Sequence, residues 1–172
     1  MLRMTELSGV LVVALALSPA VQAQDPPSPI WTVVKQVAAD PTTYAPAAVS
    51  FTAERLDWAS SQLFFEHGYV EQNPQFTISG RPSDVPIGYG AGNHVITRNA
   101  LADLRSSALN NLTTRAVERV LLTRYPHRQK LIRTLGWIER ISFGATLALV
   151  QSSSHFEQWR HNTQVARELG YR

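Results

Sequence analysis

Glu54, Asp57 and Ser61 stand three and four residues apart, so at about 100° per residue two carboxylates and a hydroxyl share one face of any helix that carries them. Further on come Glu71 and Asn73, in the run Glu71-Gln72-Asn73-Pro74, and much later His155. Carboxylates with a histidine are the residue types of acid–base work or of divalent-cation binding. Glu54, Asp57, Glu71, Asn73 and His155 are therefore the candidate polar cluster, with His67 as another imidazole in range. Spacing alone does not make them converge.

Two readings of the helical acids stay open. In the plainer one they form a solvated stripe with Arg55 as local counter-ion, because charged residues on helices are mostly exposed. In the other they lie inside a bundle, where burial raises a carboxylate pKa unless a cation or hydrogen bonds compensate. Asp57 sits between Leu56 and Trp58 on a helix with two apolar rows. That favours burial of Asp57 near the Glu71-to-Asn73 turn, paired with Arg55 or with an arginine of the later helices.

Several chemistries find no support. His155 and His161 are six residues apart, about 240° round a helix, so one metal does not take both, and no His-Glu-x-x-His run occurs. His155, Trp159 and Asn162 do share a face. With no cysteine there is no thiol nucleophile, disulfide or cysteine-type zinc site. No Gly-x-Ser-x-Gly elbow is present. Gly88, Gly90 and Gly92 lack the preceding strand of a phosphate loop. No metal and no cofactor is expected. The net charge of +3 is spread without a Lys/Arg-rich run, which argues against nucleic acid as a partner.

The elements that must position these residues read as helices. From Ala47 to Gly68 the chain has no Gly or Pro, and Val49, Ala53, Leu56 and Leu63 recur at helical spacing beside a second row of Phe51, Trp58 and Phe65. Thr42 or Thr43 caps this helix, Pro46 occupies its first turn, and Gly68 stops it. A short helix is expected over Ile30–Ala39, ended by Asp40-Pro41. Residues 69–92 read as a long irregular crossing. Asn93 is expected to cap a helix of about thirty residues, with Val95, Leu101, Leu104, Ala108, Leu112, Ala116 and Val120 as its core stripe. Asn111-Leu112-Thr113 matches a glycosylation sequon but lies mid-helix, and is set aside. Tyr125-Pro126-His127 breaks the pattern, and a last helix runs from about His127 through Val150 toward Leu169, folding back as an antiparallel hairpin. That pairing places Glu118 near Arg133 and Leu104 near Ala148. The all-apolar stretch Ile141–Val150 reads as buried against several neighbours, and Ser152–Ser154 as a bend.

The fold expected is all-α: a helical bundle with one long antiparallel hairpin and one irregular crossing loop, in a single domain over residues 30–172. Before it, residues 1–23 carry Arg3, the apolar run GVLVVALAL and a small residue at Ala23. They have the pattern of a secretory signal, too short in its apolar part to span a bilayer. Residues 24–29, QDPPSP, read as a proline-rich tether.

Asp57, Ser60/Ser61, Gly68, the Glu71-Gln72-Asn73-Pro74 turn and the late pair His161-Asn162 together resemble a set of small uncharacterised bacterial helical proteins, often membrane-embedded. In these an Asp-bearing helix ends in a Gly…Glu-x-Asn-Pro turn, and a polar His or Asn lies on the last helix. The resemblance implies no activity; it implies that Asp57, Glu71 and Asn73 act as one unit. The function expected is that of an exported, non-enzymatic module of the periplasm or cell envelope with an envelope or protein partner. A carboxylate/His-based enzyme or metal-binding protein, and a membrane-embedded bundle, remain alternatives, and membrane association of the mature chain stays open.

Overall fold

A computed structural model describes residues 29–171. The expected signal and nearly all of the tether lie outside the described residues. Four α-helices follow in order: α1, Pro29–Ala38; α2, Pro41–Phe65; α3, Tyr89–Arg124; and α4, Gln129–Leu169. Short 3-10 turns at Pro74–Phe76 and Pro126–Arg128 interrupt the connections. The fold is an all-α bundle in which α2 packs against both arms of the α3–α4 hairpin and α1 lies against α3. Among the described residues no helix is long and apolar enough to cross a membrane.

The start of α2 differs from expectation. Asp40, read as the end of α1, is instead the cap of α2: its carboxylate accepts from the Thr42 backbone N–H at 3.1 Å and from its hydroxyl at 2.8 Å. Pro41 takes the first-turn place that suits a residue without an N–H. Pro46 lies a turn further in, its ring fitted against the bare backbone of Gly144. At the other end the helix stops as expected, with Gly68 in the left-handed region at φ +84°.

The crossing is irregular but closed on itself. Glu71 and Asp84 exchange backbone bonds of 2.9 and 3.2 Å, and Thr77 bridges Pro86. This folding turns Phe76 inward onto Trp58 and Ile96, the principal apolar cluster. α3 begins four residues before Asn93, with Gly88 at its cap position. Gly92 explains why glycines open it. A side chain there would occupy the space of the Trp58 indole.

The stripe expected as the core of α3 is not the buried one. Leu101, Leu112 and Val120 are exposed, and the inward row is Gly92, Ile96, Asp103, Ser107 and Asn111. Two of its polar members find partners on α2: Ser50 Oγ donates to Asp103 at 2.5 Å, and Asn111 Nδ2 donates to the Thr42 and Thr43 hydroxyls at 2.9 and 2.8 Å, while the buried Ser107 hydroxyl has none. The interior is thus held by hydrogen bonds at positions where an apolar row was expected, and buried polar groups require such partners.

α4 departs in the same sense. Ile141, Leu149 and Val150, expected in the interior, are exposed, whereas Ile132, Gly136, Arg140, Gly144 and Ser152 face inward. The helix runs through Ser152–Ser154 without a break. The hairpin is antiparallel, but its register differs from the expected one. Glu118 packs on Gly136, where no side chain leaves it room, and accepts from Arg140 Nη1 at 2.5 Å rather than meeting Arg133. Arg140 Nε also lies 3.1 Å from Asp40, and Arg115 Nη2 lies 2.5 Å from the same carboxylate. Two acids and two guanidinium groups, Arg140 buried and the other three half-buried, form one quartet where α2, α3 and α4 meet.

Candidate functional site

At the opposite end of α2, the last three turns of that helix, the crossing and the last third of α4 line an open-sided cavity of about 450 Å³. All five residues of the candidate polar cluster line it: Glu54, Asp57, Glu71, Asn73 and His155. Trp58, Phe64, Phe65, Tyr69 and Phe76 supply its aromatic wall. The Trp58 ring lies 4.9 Å from Phe76 and 5.6 Å from Phe65, centroid to centroid, and its Nε1 donates to the Tyr89 carbonyl at 3.2 Å.

The solvated-stripe reading of the helical acids fails here. Glu54 is only 5% exposed and accepts from Asn99 Nδ2 at 3.0 Å. Arg55 is turned toward the Tyr89 ring, 5.8 Å from its centroid. Asp57 is half-buried, and its partner is not an arginine. Its Oδ2 meets His155 Nδ1 at 2.7 Å, and an ionised carboxylate accepts only, so the imidazole nitrogen donates. Position 155 was the imidazole that α4 brings to α2. His67 instead stacks on Tyr171, 3.6 Å between centroids, outside this cluster.

A second set of polar groups holds the arrangement. Asn162 Nδ2 donates to Ser60 Oγ at 3.1 Å and to Ser61 Oγ at 3.0 Å, while its own carbonyl accepts from Gln158 Nε2 at 2.7 Å. Ser61 Oγ in turn donates to Asp57 Oδ1 at 3.5 Å. Glu71 Oε1 accepts from the Asn73 backbone N–H at 2.6 Å, and the Asn73 side chain caps the following 3-10 turn through Gln75 N at 3.1 Å. Asp57, Glu71 and Asn73 line the same cavity, and the Asn73 backbone N–H bonds Glu71.

The electrostatics are unbalanced. Burial pushes the Glu54 carboxyl above its ordinary range despite the hydrogen bond from Asn99. Burial does the same to Glu71 against the backbone bonds from Asn73 and Gln72. The hydrogen bond to Asp57 raises His155 above its ordinary value of 6.5, burial opposes this, and the charges of Asp57, Glu54 and Glu71 add to the rise. Three carboxylates thus act on the imidazole of His155, and His161 also lines the cavity. Among the described residues no group of His, Asp and Glu has the geometry to hold a metal ion.

One of these partners, Asn99, was missed in the sequence. Asn99, Asp103, Ser107, Asn111 and Arg115 recur every four residues, a polar row as regular as any apolar one, and following it would have reached Asn99. No family model, curated protein or solved structure matches this chain.

Proposed function

We propose that this chain is an exported binding protein of the cell envelope whose cavity takes a small organic cation with an apolar body. The observation that carries the reading is the charge imbalance inside an aromatic wall. Asp57 is in direct contact with His155, while Glu54 and Glu71 have no basic group in hydrogen-bond contact and are partly desolvated. An ammonium group entering between them supplies the missing charge, and the faces of Trp58, Phe65 and Phe76 suit both cation–π contact and an apolar substituent. An anion meets the opposite field. Export rests on the address-like pattern of residues 1–23, and mass spectrometry of the N-terminus after cell fractionation tests it.

Calorimetry with 2-phenylethylamine, 2-phenylethanol and 3-phenylpropanoate separates charge from shape. The amine is expected to bind at least tenfold more tightly than the alcohol, about 1.4 kcal/mol, and the carboxylate not at all. Glu54→Gln and Glu71→Gln are expected to remove the preference for amine over alcohol. Equal affinities for amine and alcohol, or silence with all three, overturn the reading.

The 2.7 Å contact on His155 Nδ1 favours one further reading of the same cavity. A carboxylate on Nδ1 fixes the tautomer in which the other ring nitrogen is the base. With Ser61 bonded to Asp57 rather than to the ring, the nucleophile in such a reaction is water. Hydrolysis of a p-nitrophenyl ester that rises with pH through the titration of His155, and is absent in His155→Gln, is the expected signature. Turnover equal in the two proteins removes it.

A further inference from the structure

The far end of the hairpin has its own chemistry, independent of the cavity. Asp40 marks the start of α2 and sits level with Arg115 and Arg140, so residues 117–138 extend beyond that start. This segment contains Arg119, Arg124, Arg128, Lys130 and Arg133 and a single acid, Glu118. Glu118 is turned inward onto Arg140, and the five cations are all exposed.

Apolar side chains share that surface. Val117, Val120 and Leu121 are exposed on one side of α3 together with Arg124; Leu131, Leu135 and Ile138 are exposed on one side of α4, and Trp137 on another side of the same helix. Trp137 is 57% exposed, Leu135 56% and Val120 66%. Tyr125 stands at the turn, with the Arg124 guanidinium 6.0 Å from its ring. So many large exposed apolar side chains among cations at one end of a bundle mark an interaction site.

We propose that the hairpin tip docks on an anionic lipid bilayer, lying at the headgroup boundary without crossing it. Interleaved cations and large apolar residues, with Trp and Tyr among them, are what that boundary selects: the cations meet lipid phosphates, and the apolar side chains enter between headgroups. A second copy of the chain fits less well, because a two-fold contact brings like patches together and would oppose the same five cations. A nucleic acid would use the cations and leave Leu131, Leu135 and Ile138 without a role.

Flotation of the full chain with vesicles tests this. Binding is expected to vesicles of phosphatidylcholine containing phosphatidylglycerol, to fall with added salt, and to be weak with phosphatidylcholine alone. Each cation is worth about fivefold near an anionic surface. The triple variant Arg124→Gln, Arg128→Gln, Lys130→Gln is therefore expected to lose about a hundredfold in vesicle affinity. Leu135→Ser with Trp137→Ser, at exposed positions that leave folding intact, is expected to weaken vesicle binding while leaving any binding to duplex DNA unchanged. The proposal is overturned by no binding to phosphatidylglycerol vesicles at low salt, or by vesicle binding unchanged in both variants. It is equally overturned by a stable dimer in solution that Leu135→Ser dissociates.

Discussion

Two buried groups of charges lie along α2, and they are balanced differently. At its start, Asp40 and Glu118 face Arg115 and Arg140, two acids to two bases, each acid in direct contact with a guanidinium. Near its end, Glu54, Asp57 and Glu71 act on the imidazole of His155, which is in direct contact with Asp57 alone; His161 also lines the cavity. The first group pairs each acid with a guanidinium, although Arg115 Nε and Arg140 Nε make no hydrogen bond; against burial, hydrogen bonds from Thr42 and Arg115 hold Asp40 below its ordinary value of 3.8. In the second, burial prevails and raises Glu54 and Glu71. Compensation inside a fold stabilises it, whereas charge left uncompensated beside a cavity is available to a ligand.

The largest effect that can break this contrast is at Asp40. Asp40→Ala removes the cap of α2 and leaves Arg115 and Arg140 short of an acid, so urea melts at neutral pH are expected to show a loss of about 3 to 5 kcal/mol. Because the folded pKa of Asp40 is depressed, its stabilisation is present above the unfolded value and disappears as pH falls through the folded one. A loss under about 1 kcal/mol would make the quartet an ordinary surface pair.

Asp57→Asn comes next, with an expected loss of about 1.5 to 3 kcal/mol, the range for a hydrogen bond to a charged group. Its more specific mark is on His155. NMR titration of the imidazole is expected to give a lower midpoint in Asp57→Asn than in wild type. The raised His155 pKa contributes stability that is whole below 6.5 and lost as pH rises through the folded value, so the two proteins are expected to converge in stability in mildly alkaline buffer. An unchanged His155 midpoint would detach the two residues.

The smallest effect is at Glu54, and its sign is the informative part. A carboxyl whose folded pKa is raised by burial costs stability once pH has climbed above the unfolded value near 4.5. Glu54→Gln keeps an acceptor for Asn99, so at neutral pH it is expected to be as stable as wild type or slightly more so. A clearly destabilised variant would place Glu54 in the balanced class with Asp40.

Much of this was legible in the chain. The body of α2, the Gly68 stop and the Pro126 break follow from backbone chemistry that neighbours do not override, and the common face of Glu54, Asp57 and Ser61 follows from helical period. What misled was the assumption that an apolar stripe faces inward. Leu101, Leu112 and Val120 form a regular row, but Thr43, Ser50 and Glu54 on α2 demand polar partners, and only the row of Asn99, Asp103 and Asn111 supplies them. The hairpin register turned on Gly136, whose missing side chain seats Glu118 at a level that spacing from Pro126 alone does not give. Asp40 read as a stop because Pro41 follows it, and its second role as a cap becomes visible only when Thr42 is counted as a donor.

The fit of the Trp58 indole on Gly92 has an optical consequence. Of the four tryptophans, Trp58 is buried in the cavity wall, Trp159 is half-buried on α4, and Trp31 and Trp137 are exposed. Emission from the native chain therefore divides into a blue component from Trp58 and a red component from Trp31 and Trp137. Occupancy of the cavity perturbs the blue edge, contact at the hairpin tip perturbs the red, and a single spectrum of the unlabelled protein reports on both ends of the molecule at once.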